Sequence, residues 1–426
     1  MINNTNKVYK LKITTLSPVH IGDMVDFEPT GYVIYNPSKA DSLPTQSSIE
    51  PEMIICPECG YANPLNKVKG NPYCLECDAE LELPTNSAKN EPASVLKNEP
   101  SYLYTFTPKQ LSEALSGIEK KQLLDVARIG NFYRLEEFFK SKMAKIVVQA
   151  TKHARVCPEI TALYNQKYGN EQAQKGKENR FEIEKNISNP ATGLAYIPAS
   201  SLKGAVRTAL MSARNQKIGL TYKDIEKVIQ TKKGEQLIYK GASAEQRIYN
   251  YGNPVQDPFK YLKIGDTTPQ DAYLTEICVA RNYQRKSGQA QMPVNIEVIP
   301  HNTIFRGELM LAKNSLTAER SELPDNMQDI KAACNAFYGK VFEEEQSLMP
   351  ATMQSLVKAQ LQKPNTFLLR VGKHCGARSI TADKIRRIWN HKRKYYMDKS
   401  TTFWLADNGT EKLPFGWCVV EFEEVR

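Results

Sequence analysis

Four cysteines carry the most legible chemistry in this 426-residue chain. Cys56-Pro-Glu-Cys59 and Cys74-Leu-Glu-Cys77 are two C-x2-C pairs with 14 residues between them. Each pair makes a tight knuckle that sets two thiolates on one ion, and the intervening span supplies a short hairpin. Four thiolates complete a tetrahedral shell, so Zn²⁺ held here is structural and leaves no position open for catalysis. Disulfides or free thiols are the other uses of such cysteines, and a cytoplasmic setting disfavours the disulfides.

A second stretch suits a phosphate. Tyr196 to Leu210 reads YIPASSLKGAVRTAL. Ile197-Pro198 brings in extended chain, and the hydroxyl of Ser200 or Ser201 can cap a helix. Leu202, Ala205, Val206, Ala209 and Ala213 then fall on one side, and Lys203, Arg207, Arg214 and Lys217 on another. A helix start with unpaired N–H groups, two hydroxyls and a basic stripe fits an RNA backbone. The plainer alternative is an amphipathic surface helix whose cations are solvated.

Three further groups bear on the same chemistry. Gly372-Lys373-His374-Cys-Gly376-Ala-Arg378 follows an expected strand, and its two glycines would let main-chain amides approach a phosphate. A plain turn is the alternative. Lys384, Arg386, Arg387, Lys392, Arg393 and Lys394 are interleaved with Trp389, Tyr395 and Tyr396. Such a strip can stack on unpaired bases, or bury its rings and wet its cations. His20, in the loop after the first expected strand, could act as a general base, contact RNA or make a structural hydrogen bond. Asp257 and Asp266 have no third acid nearby, so capping or a turn bond suits them better than a metal. Walker A, dinucleotide-binding and zincin patterns are missing.

The elements that must position these groups alternate between strand and helix. Val8 to Leu16 alternates as a half-buried strand, and Gly31 to Tyr35 is a second. Thr107 and Gln110 make a capping box opening a helix through about Ile129. Another helix is expected from Phe132 to Ala150. Phe181–Ile187, Ile277–Tyr283, Val294–Pro300, Phe305–Leu311, Thr366–Val371 and Trp417–Phe422 read as strands, and residues 325 to 360 as helical. Pro37 to Pro100 holds nine of the 24 prolines and a balance of −5, the mark of an insertion. Arg370 to Lys399 has ten Lys/Arg against two Asp/Glu, a balance of +8 that suggests a polyanion. No apolar run could cross a bilayer, and MINNTNKVYK lacks a signal-peptide core, so a cytoplasmic protein with no membrane partner is expected.

The helix motif resembles the signature of the RAMP superfamily of CRISPR proteins, Pro-Gly-Ser-Ser-hydrophobic-Lys-Gly-x-x-Arg. Ser200, Ser201, Leu202, Lys203, Gly204 and Arg207 match it, and Ala199 departs from the usual glycine. The opening strand followed by Pro18-Val-His20-Ile-Gly22 is similar to the start of these proteins. That segment, Asp257-Pro-Phe through Asp266-Thr267, and Asn295 to Leu311 resemble the subunit-five family of the type III-A Csm effector complex.

The resemblance implies an α+β chain of two ferredoxin-like (RRM-like) modules. They would be 1–36 with 101–250, carrying a helical insertion, and 251–426, with residues 37–100 as a zinc-ribbon insertion whose role it does not supply. It implies a non-catalytic subunit capping the 3′ part of the CRISPR RNA (crRNA), with the adjacent backbone subunit and the small subunit as partners. Target RNA would be met indirectly, and host nucleases for 3′ trimming are further partners. Its RNA contacts would be His20, Ser200, Ser201, Lys203, Gly204, Arg207, Arg214, Gly372, Lys373, His374, Gly376, Arg378, Arg386, Arg387, Lys392 and Arg393. A type III-B RAMP subunit and a metal-independent endoribonuclease using His20 are the alternatives.

Overall fold

The computed structural model describes residues 6–37, 100–171, 181–231, 234–239, 241–312, 323–390, 395–397 and 400–425, with a few short pieces between 37 and 100. The chain divides into a unit of residues 1–35 and 100–426 and a second of 36–99. In the second, Met53–Ile55 pairs antiparallel with Ala62–Pro64. Cys56, Cys59 and Cys74, three of the four expected zinc ligands, lie outside the described residues.

The larger unit is mixed α+β, the expected class. Its first sheet runs Leu262–Ile264, Ile304–Leu311, Lys7–Thr15, Trp417–Glu424, Thr366–Arg370, with every neighbouring pair antiparallel. The period-2 pattern of the opening strand decides which face is buried. Tyr9, Leu11 and Ile13 point inward, whereas Lys10 and Lys12 point out. Ile13 lies opposite Phe305 on one side and Val420 on the other, and both of these are also buried. Two long helices, Ala199–Ile218 and Met327–Glu345, cover this face. Leu202, Val206 and Ala209 supply the apolar stripe of the first, as their spacing demands. Tyr338 locks the helices together by donating its hydroxyl to the Ala205 carbonyl at 3.0 Å.

The second sheet runs Gly22–Asp26, Glu184–Asn186, Val294–Val298, Thr275–Gln284, Thr151–Val156, Ser101–Thr105, Tyr32–Tyr35. Thr402–Asp407 pairs with the far half of Thr275–Gln284. That central strand is buried on both faces. Ile277 and Val279 enter a core shared with the helices Phe132–Ser141, Met143–Gln149 and Pro158–Lys167. Cys278 and Ala280 enter a small core with Ile296, Val298 and Phe415. Strands from the two spans expected as modules are thus interleaved in both sheets.

Several expected helices are shorter. The segment after Thr107 keeps its capping box but breaks after Ala114, and Ser116 with Glu119 forms a second box that opens Gly117–Ile129. Likewise Lys142 separates Phe132–Ser141 from Met143–Gln149. Glu226–Thr231 and Gly234–Tyr239 pair as an antiparallel hairpin.

Candidate RNA-backbone interface

The central helix starts at Ala199, one residue before the serines. Its cap is Pro198, extended at φ −63° and ψ 147°, with no side-chain capping bond. Neither Ser200 nor Ser201 therefore caps it. The Asp266 carboxylate takes the Ala199 N–H at 2.7 Å, and Thr267 Oγ1 takes the Ile197 N–H at 3.0 Å. Asp266 is thus a cap supplied from a distant loop, which frees both serine hydroxyls. Gly219 closes the helix in the left-handed region, at φ 82°.

The loop after the first strand is stitched into place before it meets the helix. Val19 and Ile299 exchange backbone hydrogen bonds at 3.0 and 2.8 Å. The Ile21 N–H donates to Asn186 Oδ1 at 2.7 Å. Between them the His20 imidazole is wholly buried, and its Nδ1–H donates to the Glu297 carbonyl at 2.7 Å. Burial pushes its pKa down, so the ring is neutral. An enclosed ring reaches neither RNA nor substrate. His20, expected as an RNA contact, instead sets the height of the loop.

The glycine loop docks on that support. Lys373 N–H donates to the His20 carbonyl at 2.8 Å. Gly372 has φ +91°, and a Cβ there would stand 2.4 Å from the same carbonyl oxygen. Only glycine allows this approach. As a result, three stretches far apart in sequence line one open cleft of about 760 Å³. Ile21 and Gly22 come from the first loop, Ser200, Ser201 and Gly204 from the helix start, and Gly372 and Lys373 from the glycine loop. Asp26, Glu184 and Lys185 also line it. Lys373 pairs with Glu184 at 2.5 Å. Burial opposes ionisation of Glu184, but the Lys373 hydrogen bond and charge overcome it and hold the carboxyl below its usual range.

Two arginines of the basic stripe are held by internal partners. Arg207 pairs with Glu245 and, at 2.7 Å, with Asp257, and lies over the Phe259 ring. Arg214 donates to the Ile248 carbonyl at 2.6 Å. Both fasten the helix to its neighbours, contrary to the expectation of phosphate contacts. Lys203 is half-buried and carries no ion pair among the described residues. The C-terminal tract is similarly committed. Arg370 pairs with Glu345, Arg378 with Glu344, Arg386 with Asp383 and Arg387 with Glu226. These internal pairs use much of the local positive charge, so the tract is less of a polyanion surface than its balance suggests. Trp389 and Tyr396 lie on a hairpin of Ile388–Asn390 with Tyr395–Met397, while Lys392 and Arg393 lie outside the described residues. Gly376 caps the short helix Ala377–Ile380.

Glu297 went unnoticed in the sequence. Its buried carboxylate accepts from His153 Nε2 at 2.8 Å, Thr275 Oγ1 at 2.6 Å and the Asn186 N–H at 2.8 Å. It therefore ties His20, Asn186 and two strands into one bracket under the cleft. A lone glutamate in a strand gives no signal of such a role. Asp266 did leave one, in the Asp257 to Thr267 segment, where a capping or turn role was the better reading.

The model of the RAMP superfamily matches residues 12–349. The chain belongs to the RAMP superfamily. In this RAMP chain the match includes the His20 loop and the central helix but ends before the glycine loop, which folding alone brings to the cleft. A similar solved structure is a chain of a Csm–crRNA–target RNA ternary complex from a type III-A CRISPR-Cas system. It has 14% identity and a TM-score of 0.50, covering 97% of this chain and 100% of that one. The crystal structure of T. onnurineus Csm5 also matches, with 14% identity and a TM-score of 0.47 over 96% and 99% of the two chains. At these identities the likeness is one of fold. No curated protein matches the chain in sequence. Among the described residues, no helix is long and apolar enough to cross a membrane.

Proposed function

We propose that this RAMP chain is a non-catalytic RNA-binding subunit of a type III-A Csm effector, holding the sugar-phosphate backbone of the crRNA near its 3′ end. The observation that carries the reading is the cleft itself, where an uncapped serine pair, a helix start, a glycine-backed amide and Lys373 converge. A guide whose bases vary must be held through phosphate and sugar, because base-edge readout would restrict its sequence. The fold shared with a chain of a type III-A Csm–crRNA–target RNA complex supports that setting. The adjacent backbone subunit and the small subunit are its partners there, with target RNA met indirectly and host nucleases trimming the 3′ end. The enclosure of His20 supports binding without cleavage, since a general base must reach the 2′-hydroxyl it deprotonates.

The test is purified protein with labelled single-stranded RNAs of unrelated sequence. Lys373→Ala with Lys203→Ala should weaken binding of all of them alike, with a salt slope shallower by roughly 0.7 for each lost contact. Sequence-dependent losses would refute the backbone reading. Cutting that disappears in His20→Ala would replace it with a ribonuclease. We also propose that Cys56, Cys59, Cys74 and Cys77, four soft thiolate donors, hold one structural Zn²⁺.

A further inference from the structure

The glycine loop has a second side. Residues 374–378 turn away from the cleft and, with the strand Thr402–Asp407, enclose a separate cavity of about 540 Å³. Its walls combine flat rings with cations. His374 sits in the left-handed region at φ +66°, and its ring lies 4.2 Å from that of Trp404. Phe403 is stacked on Tyr283 at 5.6 Å, and the Arg285 guanidinium lies 5.4 Å from the Phe403 ring.

The charges there do not cancel. Arg378 is matched by Glu344 and Arg370 by Glu345, whereas Arg285 has no carboxylate partner among the described residues. Two polar atoms in the wall are left over, because His374 Nε2 and Arg378 Nε have no hydrogen-bond partner. Burial, followed by the Lys373 charge and the His20 ring, holds His374 down to about 4, so its ring is neutral at physiological pH. A pocket that sets aromatic rings beside a spare guanidinium and unused polar atoms suits a flat, polar-edged ligand bearing a phosphate. One loop forms the wall of both cavities, since Gly372 and Lys373 line the first and His374 to Arg378 line the second.

We infer that this second cavity receives one unpaired base of the RNA whose backbone lies in the first, with the base against the Phe403 and Trp404 walls and Arg285 on the adjoining phosphate. The inference rests on the proposed RNA-binding role and adds a base-stacking subsite to it. Every base offers a π-face, so such a subsite tolerates a guide of any sequence.

The experiment compares a short oligouridylate with the same strand carrying abasic riboses, which keeps every phosphate and removes the bases. Full-length protein should bind the intact strand on the order of tenfold more tightly, the usual worth of one stacked base. Phe403→Ala should bring the intact strand down to the abasic one while leaving abasic affinity unchanged. Arg285→Gln, on an exposed residue, should weaken the intact strand without loss of folding. Equal affinity of the unaltered protein for the two strands would overturn the base site and leave the backbone cleft standing. So would unchanged RNA binding in both variants, which would assign the cavity to a protein partner. Failure to bind either strand would remove the proposed function, and this inference with it.

Discussion

Replacing Gly372 with alanine tests whether the cleft is built by one loop resting on another. Its φ of +91° costs an L-residue about 1–2 kcal/mol. The added Cβ would lie 2.4 Å from the His20 carbonyl oxygen and 3.2 Å from its carbon. A backbone carbonyl cannot swing aside like a side-chain tip, so the loops must part, at about 1 kcal/mol of local distortion. The Lys373 N–H···O bond goes with them, adding about 1 kcal/mol. The total is about 3–4 kcal/mol. Unfolding entropy of about 2.1 cal/mol/K per residue over roughly 360 residues of the larger unit converts this to a Tm fall of about 4–5 °C. Gly219→Ala is the control, since φ there is +82° but a Cβ meets nothing within 4 Å. It carries only the conformational cost, about 1–2 kcal/mol and about 1–3 °C. Calorimetry reads both melts, and fluorescence anisotropy reads RNA affinity, which only Gly372→Ala should lower because Lys373 moves. Equal melts for the two variants, or undiminished RNA binding in Gly372→Ala, would refute the argument.

Arg207→Ala should lose about 2 kcal/mol by leaving Glu245 and Asp257 without their shared cation, while Lys203→Ala should leave Tm within a degree and weaken RNA binding; a denaturant series and a binding series separate them. Stability should decline as pH falls from 6.5 towards about 4, because the folded chain holds His374 below its unfolded value and the unfolded chain takes the proton first. His20 shifts in the same direction, and His374→Gln should flatten part of that decline in melts taken across the window. Metal analysis should find one zinc per chain, and Cys56→Ser should release it without changing the RNA affinity of the larger unit.

Pattern in the sequence reached the elements more readily than the contacts between them. The apolar stripe through Leu202, Val206 and Ala209 and the alternation of Val8 to Leu16 are local periodicities, and both elements form, the strand as Lys7–Thr15. The loops that line the cleft were also visible as loops. What could not be read was which partners the side chains choose once the chain is folded. Arg207 looks like a phosphate ligand beside Lys203 on the helix, and only folding brings Asp257 and Glu245 to it. Composition counts Arg386 and Arg387 as free positive charge, although Asp383 and Glu226 neutralise them. Ser201 looked like a cap because serine usually is one, yet Asp266 claims the helix start from 67 residues away. Glu297 has no neighbour in sequence that hints at its three hydrogen bonds.

The opening strand lies between Ile304–Leu311 and Trp417–Glu424. During synthesis it must therefore wait, unpaired on both edges, until Ile304–Leu311 has left the ribosome, and unpaired on one edge until Trp417–Glu424 follows. Pairing over such a span is slow, and in the meantime the exposed edges can recruit strands from other chains. A nascent chain halted before Trp417 should be a ready client for chaperones, whereas the segments around Ile34 and Leu103 can pair long before that.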